Sequence, residues 1–233
     1  MVNGILNPAD SVYEVEVTWS SPSFGVLPDF EDVFVTNAAV SISNGITTAD
    51  FTYDENARSY KLVSDDFPLE AETTYLLRVV ADDHEVTSSV TTSLPVPEVE
   101  SFDIRDDLSL VVNWQDTPGT DDYYSVRAFL ERQELEFVNQ IPYFFDSGFI
   151  SDGNRDGTIL QDVGEGFDRI QGSDLLVINI YRFDQQYVDY FRILENYVGD
   201  DPFSEPTQLP TNIEGGLGIF AVVLQSEFKL RAR

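Results

Sequence analysis

The 233-residue chain has no cysteine, one histidine, one methionine and two lysines, Lys61 and Lys229. Without cysteine there is no disulfide framework, no thiol nucleophile and no thiolate metal site. With a single histidine, any Ser-His-Asp relay or histidine-bound metal would have to run through His84. That residue sits in the acidic stretch Asp82-Asp83-His84, which reads as a solvated hairpin tip. There is no G-x-S-x-G elbow and no phosphate-binding P-loop. No apolar run approaches the ~18 residues that a membrane-crossing helix needs. The opening residues, Met1-Val-Asn-Gly-Ile-Leu-Asn-Pro, show neither a basic n-region nor an apolar h-region, so no secretion signal is visible. The chain begins abruptly on what reads as a strand.

What is present in abundance is acid. Asp and Glu number 42 against 13 basic residues, a net charge of −29 spread along the whole chain. Such a surface repels nucleic acid and anionic membranes. Aspartate outnumbers glutamate 25 to 17, a balance that fits a saline habitat and an ordinary acidic extracellular protein equally. A hydrophobic fraction of 42%, with 17 Phe, 11 Tyr and 2 Trp, is ample for one large core or two small ones.

Period-2 alternation dominates the first 95 residues. In 12–19, Tyr13, Val15, Val17 and Trp19 alternate with Glu14, Glu16 and Thr18, the signature of a half-buried strand. After a loop with Pro22, Gly25 and Pro28, residues 34–43 place Ala38, Val40 and Ile42 in alternation before an Asn44-Gly45 turn signal. Short β-rich runs follow at 51–53, 59–63, 74–81 and 86–93, and the spacing predicts a sandwich of roughly seven strands. Leu94-Pro-Val-Pro97 reads as an extended linker.

The second half reopens in the same style. Leu108, Leu110 and Val112 lead to Trp114, and beyond a Thr117-Pro-Gly-Thr120 turn Tyr124, Val126 and Ala128 alternate. Val-x-Trp followed by Tyr-x-Val resembles fibronectin-type and immunoglobulin-type sandwiches, in which a buried Trp and Tyr face one another. Strand candidates lie at 143–145 and 158–160, a buried strand is predicted at 175–181, and a closing strand at 218–224. Between the last two, Tyr187, Tyr190, Phe191, Leu194, Tyr197 and Val198 recur at helical spacing after a potential cap at Asp184, and Gly199 ends the run. The expected fold is therefore mainly β. It comprises two antiparallel β-sandwich domains of immunoglobulin or fibronectin type, residues 1–96 and 97–233, the second carrying one helix at about 184–198.

Two local motifs suggest chemistry. Asp152-Gly-Asn154-Arg-Asp156-Gly157 matches the first six positions of a D-x-[DN]-x-[DN]-G calcium loop, which makes Asp152, Asn154, Asp156 and Thr158 candidate ligands for calcium, the one cofactor suggested. The bidentate acid required at position 12 is replaced by Val163, so Asp162 or Glu165 would have to complete a site of another kind; a plain Gly/Asp turn is the competing reading. Gly216-x-Gly218-x-x-Ala221 formally matches a dinucleotide fingerprint. Too few residues follow it for a βαβ unit, so its glycines are expected to serve backbone packing. Acids are too numerous for any catalytic pair to be nominated, so catalytic residues are expected to be none, as are cofactor-binding ones.

Several segments taken together resemble a known family. These are Val2-Asn-Gly-Ile-Leu, Asn37-Ala-Ala-Val-Ser-Ile, Ser59-Tyr60 before Thr74-Tyr-Leu-Leu, the Ser151-Asp…Gly157 segment, and above all Asp201-Pro-Phe-Ser-Glu-Pro…Asn212-Ile-Glu-Gly-Gly-Leu-Gly-Ile-Phe220. The chain resembles, over essentially its whole length, an uncharacterised family of Bacteroidota cell-envelope lipoproteins, a domain of unknown function. The resemblance implies export to the outer membrane, a lipid carried on a cysteine ahead of the region matching Val2, and frequent association with TonB-dependent receptors. Membrane attachment is then expected only through a lipid on a longer precursor, since this chain has no such cysteine. The expected function is a non-enzymatic cell-surface binding or accessory module, with an outer-membrane receptor or surface protein as partner. The competing readings are an extracellular polysaccharide hydrolase using paired carboxylates and a calcium-stabilised adhesion or structural protein.

Overall fold

A computed structural model describes residues 1–20, 29, 31–92, 97–107, 109–119, 121–133, 138–146, 148–164, 174–195 and 209–231, with the backbone alone of 133, 138–146 and 154. In chain order the first eight strands are β1 (Val2–Leu6), β2 (Val12–Val17), β3 (Ala39–Ser43), β4 (Thr48–Asp50), β5 (Thr52–Asp54), β6 (Ser59–Val63), β7 (Thr74–Ala81) and β8 (His84–Thr91). Then come β9 (Val99–Ile104), β10 (Leu110–Gln115), β11 (Tyr123–Gln133), β12 (Val138–Asp146), β13 (Ile150–Ser151), β14 (Ile159–Gly164) and β15 (Leu175–Phe183). Helix α1 (Gln185–Glu195) precedes the last two strands, β16 (Gly218–Val222) and β17 (Leu224–Arg231). The chain divides into two compact units, Met1–Leu94 with Gln186–Val223, and Pro95–Gln185 with Leu224–Arg233.

The first unit pairs a five-stranded sheet, β16-β1-β2-β6-β5, with a four-stranded sheet, β4-β3-β7-β8. Alternation puts Tyr13, Val15 and Val17 of β2 inside with Val40 and Ile42 of β3 and Tyr75, Leu77 and Val79 of β7. The Asn44-Gly45 signal is a turn: the Asn44 Oδ1 accepts from the amides of Ile46 (3.0 Å) and Thr47 (2.8 Å), and Gly45 adopts φ 82°. Trp19 departs from the alternation of its strand. It lies beyond the end of β2 and is 41% exposed.

β16 lies parallel to β1, Val2 opposite Gly218 and Leu6 opposite Val222. The sheet is thus mixed, where an antiparallel one is predicted from the sequence. Every residue of β16 is buried, and its two faces have different partners. A Cβ at Gly4 of β1 would touch Phe220, Val15 and Leu77, which marks the inner face. On the other face Ile219 and Ala221 pack with Tyr190 of α1 and Ile5, and the Tyr190 hydroxyl reaches Asn3 Oδ1 at 3.3 Å.

The sequence expectations need correction at three places. The helix and the strand after it complete the first unit, whereas the sequence reading assigns them to a domain of 97–233; local periodicity carries no information about the partner of β16. The apolar run at 218–224 is not the closing strand, because it breaks at Val223, whose amide donates to Leu6 O (2.8 Å), and β17 then joins the second unit. The helix stripe includes Val188, fully buried, while Leu194 is 43% exposed. The loop prolines Pro22 and Pro28, the linker at 94–96, Leu108, and the helix end with Tyr197, Val198 and Gly199 lie outside the described residues.

The second unit packs a three-stranded sheet, β14-β10-β9, on a sheet ordered β12-β11-β15-β17, with β13 pairing β11. Leu110, Val112 and Trp114 from one and Tyr124, Val126, Ala128, Leu130, Leu176, Ile178 and Ile180 from the other share one core. Trp114 and Tyr124 are both fully buried with ring centroids 5.7 Å apart, as the Val-x-Trp and Tyr-x-Val pattern predicts.

Candidate functional site

Asp116 directly follows β10, and Asp152 and Asp156 bracket the single turn of 3-10 helix at Gly153–Arg155. Each of the three offers a carboxylate oxygen within 4.8 Å of the other two. Asp116 and Asp152 are each 1% exposed, and Asp156 is exposed. The turn is held in place by these acids. Gly157, at φ 69°, donates its amide to Asp116 Oδ2 (2.7 Å), and Gly119 donates to Asp156 Oδ1 (2.7 Å). Asp152 Oδ2 accepts from the amide of Asp122 at 3.3 Å. Asp152 Oδ1 is buried and has no hydrogen-bond donor among the described residues.

Two of the sequence candidates, Asp152 and Asp156, therefore come together. The third carboxylate, Asp116, is 36 residues before Asp152 and falls outside any loop motif. Thr158 instead braces the turn, its hydroxyl donating to Arg155 O (2.5 Å) and its carbonyl accepting from Asp116 N (3.0 Å). Asp162 lies along β14 and accepts from the amide of Val163 (2.8 Å). The side chain of Asn154, and all of Glu165, lie outside what is described.

The floor of this site is charged as well. Arg182 of β15 is 2% exposed and pairs with Asp122 at 2.7 Å. Its Nη1 lies 3.4 Å from Thr117 Oγ1. The Tyr124 hydroxyl donates to Asp116 Oδ1 at 2.6 Å, with Asp122 Oδ2 at 3.5 Å. Burial first, then the hydrogen bond to Asp116 and the charges of Asp122 and Asp116, push the Tyr124 phenol far above its ordinary range, against an opposing pull from Arg182. The folded protein keeps this proton where the unfolded chain has lost it, so stability should hold up to the ordinary tyrosine value of about 10 and fall above it. Urea unfolding followed across alkaline pH, with tyrosinate absorbance as a second signal, checks this; Tyr124→Phe should make the fall shallower.

In the first unit, a cavity of about 300 Å³ is bordered by Val17, Trp19, Val35, Ala81, His84 and Leu217. Its walls are mainly apolar, and Trp19 meets His84 edge-on with centroids 5.8 Å apart. His84 is exposed at the start of β8, beside the Asp82-Asp83 tip. One side of the cavity is built by Gly215, Gly216 and Leu217, where the Gly216-x-Gly218-x-x-Ala221 match to a dinucleotide loop begins. That stretch opens a strand, not a helix. Asn212 acts as a surrogate strand partner, its side chain bonding both the carbonyl (2.6 Å) and the amide (2.9 Å) of Phe220. Glu214 exchanges backbone bonds with Thr87 of β8, at 3.2 and 2.7 Å.

Residues 1–229 match the family described as a domain of unknown function, DUF4249. The chain belongs to that family. No curated protein matches it. Among solved structures it is similar to the FN1–FN3 domains of chicken CNTN1, at 13% identity and a TM-score of 0.31, covering 79% of this chain; the chain spans 58% of that structure. A cytokine receptor complex is matched at 10% identity and a TM-score of 0.30, over 100% of this chain and 96% of that one. A DUF3823 family protein from Bacteroides uniformis is matched at 8% identity and a TM-score of 0.29, over 100% of this chain and 98% of that one.

Proposed function

We propose that the protein is a non-catalytic binding or accessory module at the outer-membrane surface of a Bacteroidota cell, attached by a lipid on its natural precursor and working beside a TonB-dependent receptor. The observation that carries this reading is the apolar cavity of the first unit with the indole of Trp19 at its rim, 41% exposed. A half-exposed tryptophan over an apolar hollow is the kind of anchor that protein interfaces use. The charge of −29 supports a protein partner over nucleic acid or a lipid surface.

The test is the natural precursor expressed in a Bacteroidota host, with a photoreactive residue in place of Trp19. The expected result is incorporation of an alkyne-labelled fatty acid, cleavage by protease added to intact cells, and a cross-link from position 19 to an outer-membrane barrel. A precursor that takes up no lipid and is protected in intact cells would overturn it.

A further inference from the structure

We propose that Asp116, Asp152 and Asp156 form a calcium site in the second unit, independent of the surface-binding reading. Three carboxylates stand with one oxygen each inside 4.8 Å of the others. Oxygens bound to one calcium at 2.3–2.6 Å lie no more than about 4.6–5.2 Å apart, so the three fit one coordination sphere. The observation that points to a ligand is Asp152 Oδ1. It belongs to a residue only 1% exposed and has no donor among the described residues, although its sister oxygen is satisfied by the Asp122 amide.

Burying a carboxylate oxygen without a donor or a cation is strongly unfavourable, and here two carboxylates are buried with a third beside them. Arg182 is the buried cation of this region, and its short ion pair is with Asp122. The orientation of the other oxygens is already set by the chain. Asp116 is fixed by Tyr124 and Gly157, and Asp156 by Gly119, each bond using one lone pair and leaving another for a metal. A hard cation with flexible coordination and an all-oxygen set is the chemistry that fits. Magnesium, which demands near-ideal octahedral geometry and keeps its own waters, fits less well. Coordinated water would complete the sphere on the side of exposed Asp156.

The experiment uses the full chain, stripped with chelator and titrated with calcium, with magnesium at matched ionic strength as control because so acidic a protein gains from any salt. Terbium serves as a second probe, excited through Tyr124 and Trp114. Calcium is expected to bind one to one, raise the melting temperature more than magnesium, and displace the terbium luminescence. Asp152→Asn should weaken calcium by at least about tenfold, while leaving the metal-free protein as stable or more so, because it removes an unpaired buried charge. Asp156→Asn, on the exposed side, should weaken calcium with less effect on the fold. No saturable binding up to about 10 mM calcium, or equal binding in wild type and both variants, would overturn the site.

Discussion

Gly218→Ala should unfold the first unit, at a loss of more than about 3 kcal/mol. Gly218 adopts φ 120°, and an added Cβ would lie 1.9 Å from the carbonyl oxygen of Val2, 2.8 Å from its carbon and 2.9 Å from its nitrogen. All three are backbone atoms of β1, so nothing at the end of a flexible side chain can move aside. Relief would require separating β16 from β1, and with it the Ile219 and Ala221 face that seats Tyr190. Gly45→Ala is the control. That glycine also has positive φ, 82°, but nothing lies within 4 Å of an added Cβ, so only the conformational penalty of about 1 kcal/mol is expected. Hydrogen exchange of the β1 amides separates the two: protection should vanish in Gly218→Ala and persist in Gly45→Ala. A Gly218→Ala protein melting within about 2 °C of wild type would contradict the account.

Arg182→Met should destabilise the second unit by about 3–5 kcal/mol, because it leaves Asp122 buried without its cation. The two side chains are 2% and 7% exposed and 2.7 Å apart. Replacing both, as Arg182→Met with Asp122→Leu, should recover part of the loss, since it removes the stranded Asp122 charge while Asp116 and Asp152 stay buried. The surface pair Arg78–Glu85, 2.8 Å apart with side chains 49% and 53% exposed, provides the contrast. Its removal should shift stability by less than about 1 kcal/mol. Urea unfolding followed by far-ultraviolet circular dichroism reads both units, and equal effects of Arg182→Met and Arg78→Met would refute the argument.

The sequence is most legible where neighbouring residues decide the outcome. Residues 59–63 and 74–81 form β6 and β7 with the bounds their alternation implies, and the pairing of Trp114 with Tyr124 follows from two short patterns. What periodicity misses is set by distant partners. The opening residues and the run at 218–224 each read as a strand, yet the union of β1 and β16 as a parallel pair depends on contacts across more than 200 residues. The same blindness hides Asp116, which joins Asp152 and Asp156 only because β10 pairs antiparallel with β14, Gln115 opposite Ile159. Trp19 continues an alternating run and so reads as core. It lies two residues beyond the end of β2, its amide donating to Val33 O (2.7 Å) while its ring borders the cavity.

The parallel partner of β1 bears on the order in which the protein is made. β1 and its parallel neighbour β16 are separated by more than 200 residues of chain, most of the second unit among them. Until residue 222 emerges, one edge of β1 presents unpaired amides and carbonyls, and Gly4 faces no Phe220. A nascent chain therefore cannot finish its first unit before Pro95–Gln185 of the second has been synthesised. Completion of the first unit thus rests on a pairing of high sequence separation, which is expected to slow its folding relative to a sheet closed by neighbouring strands.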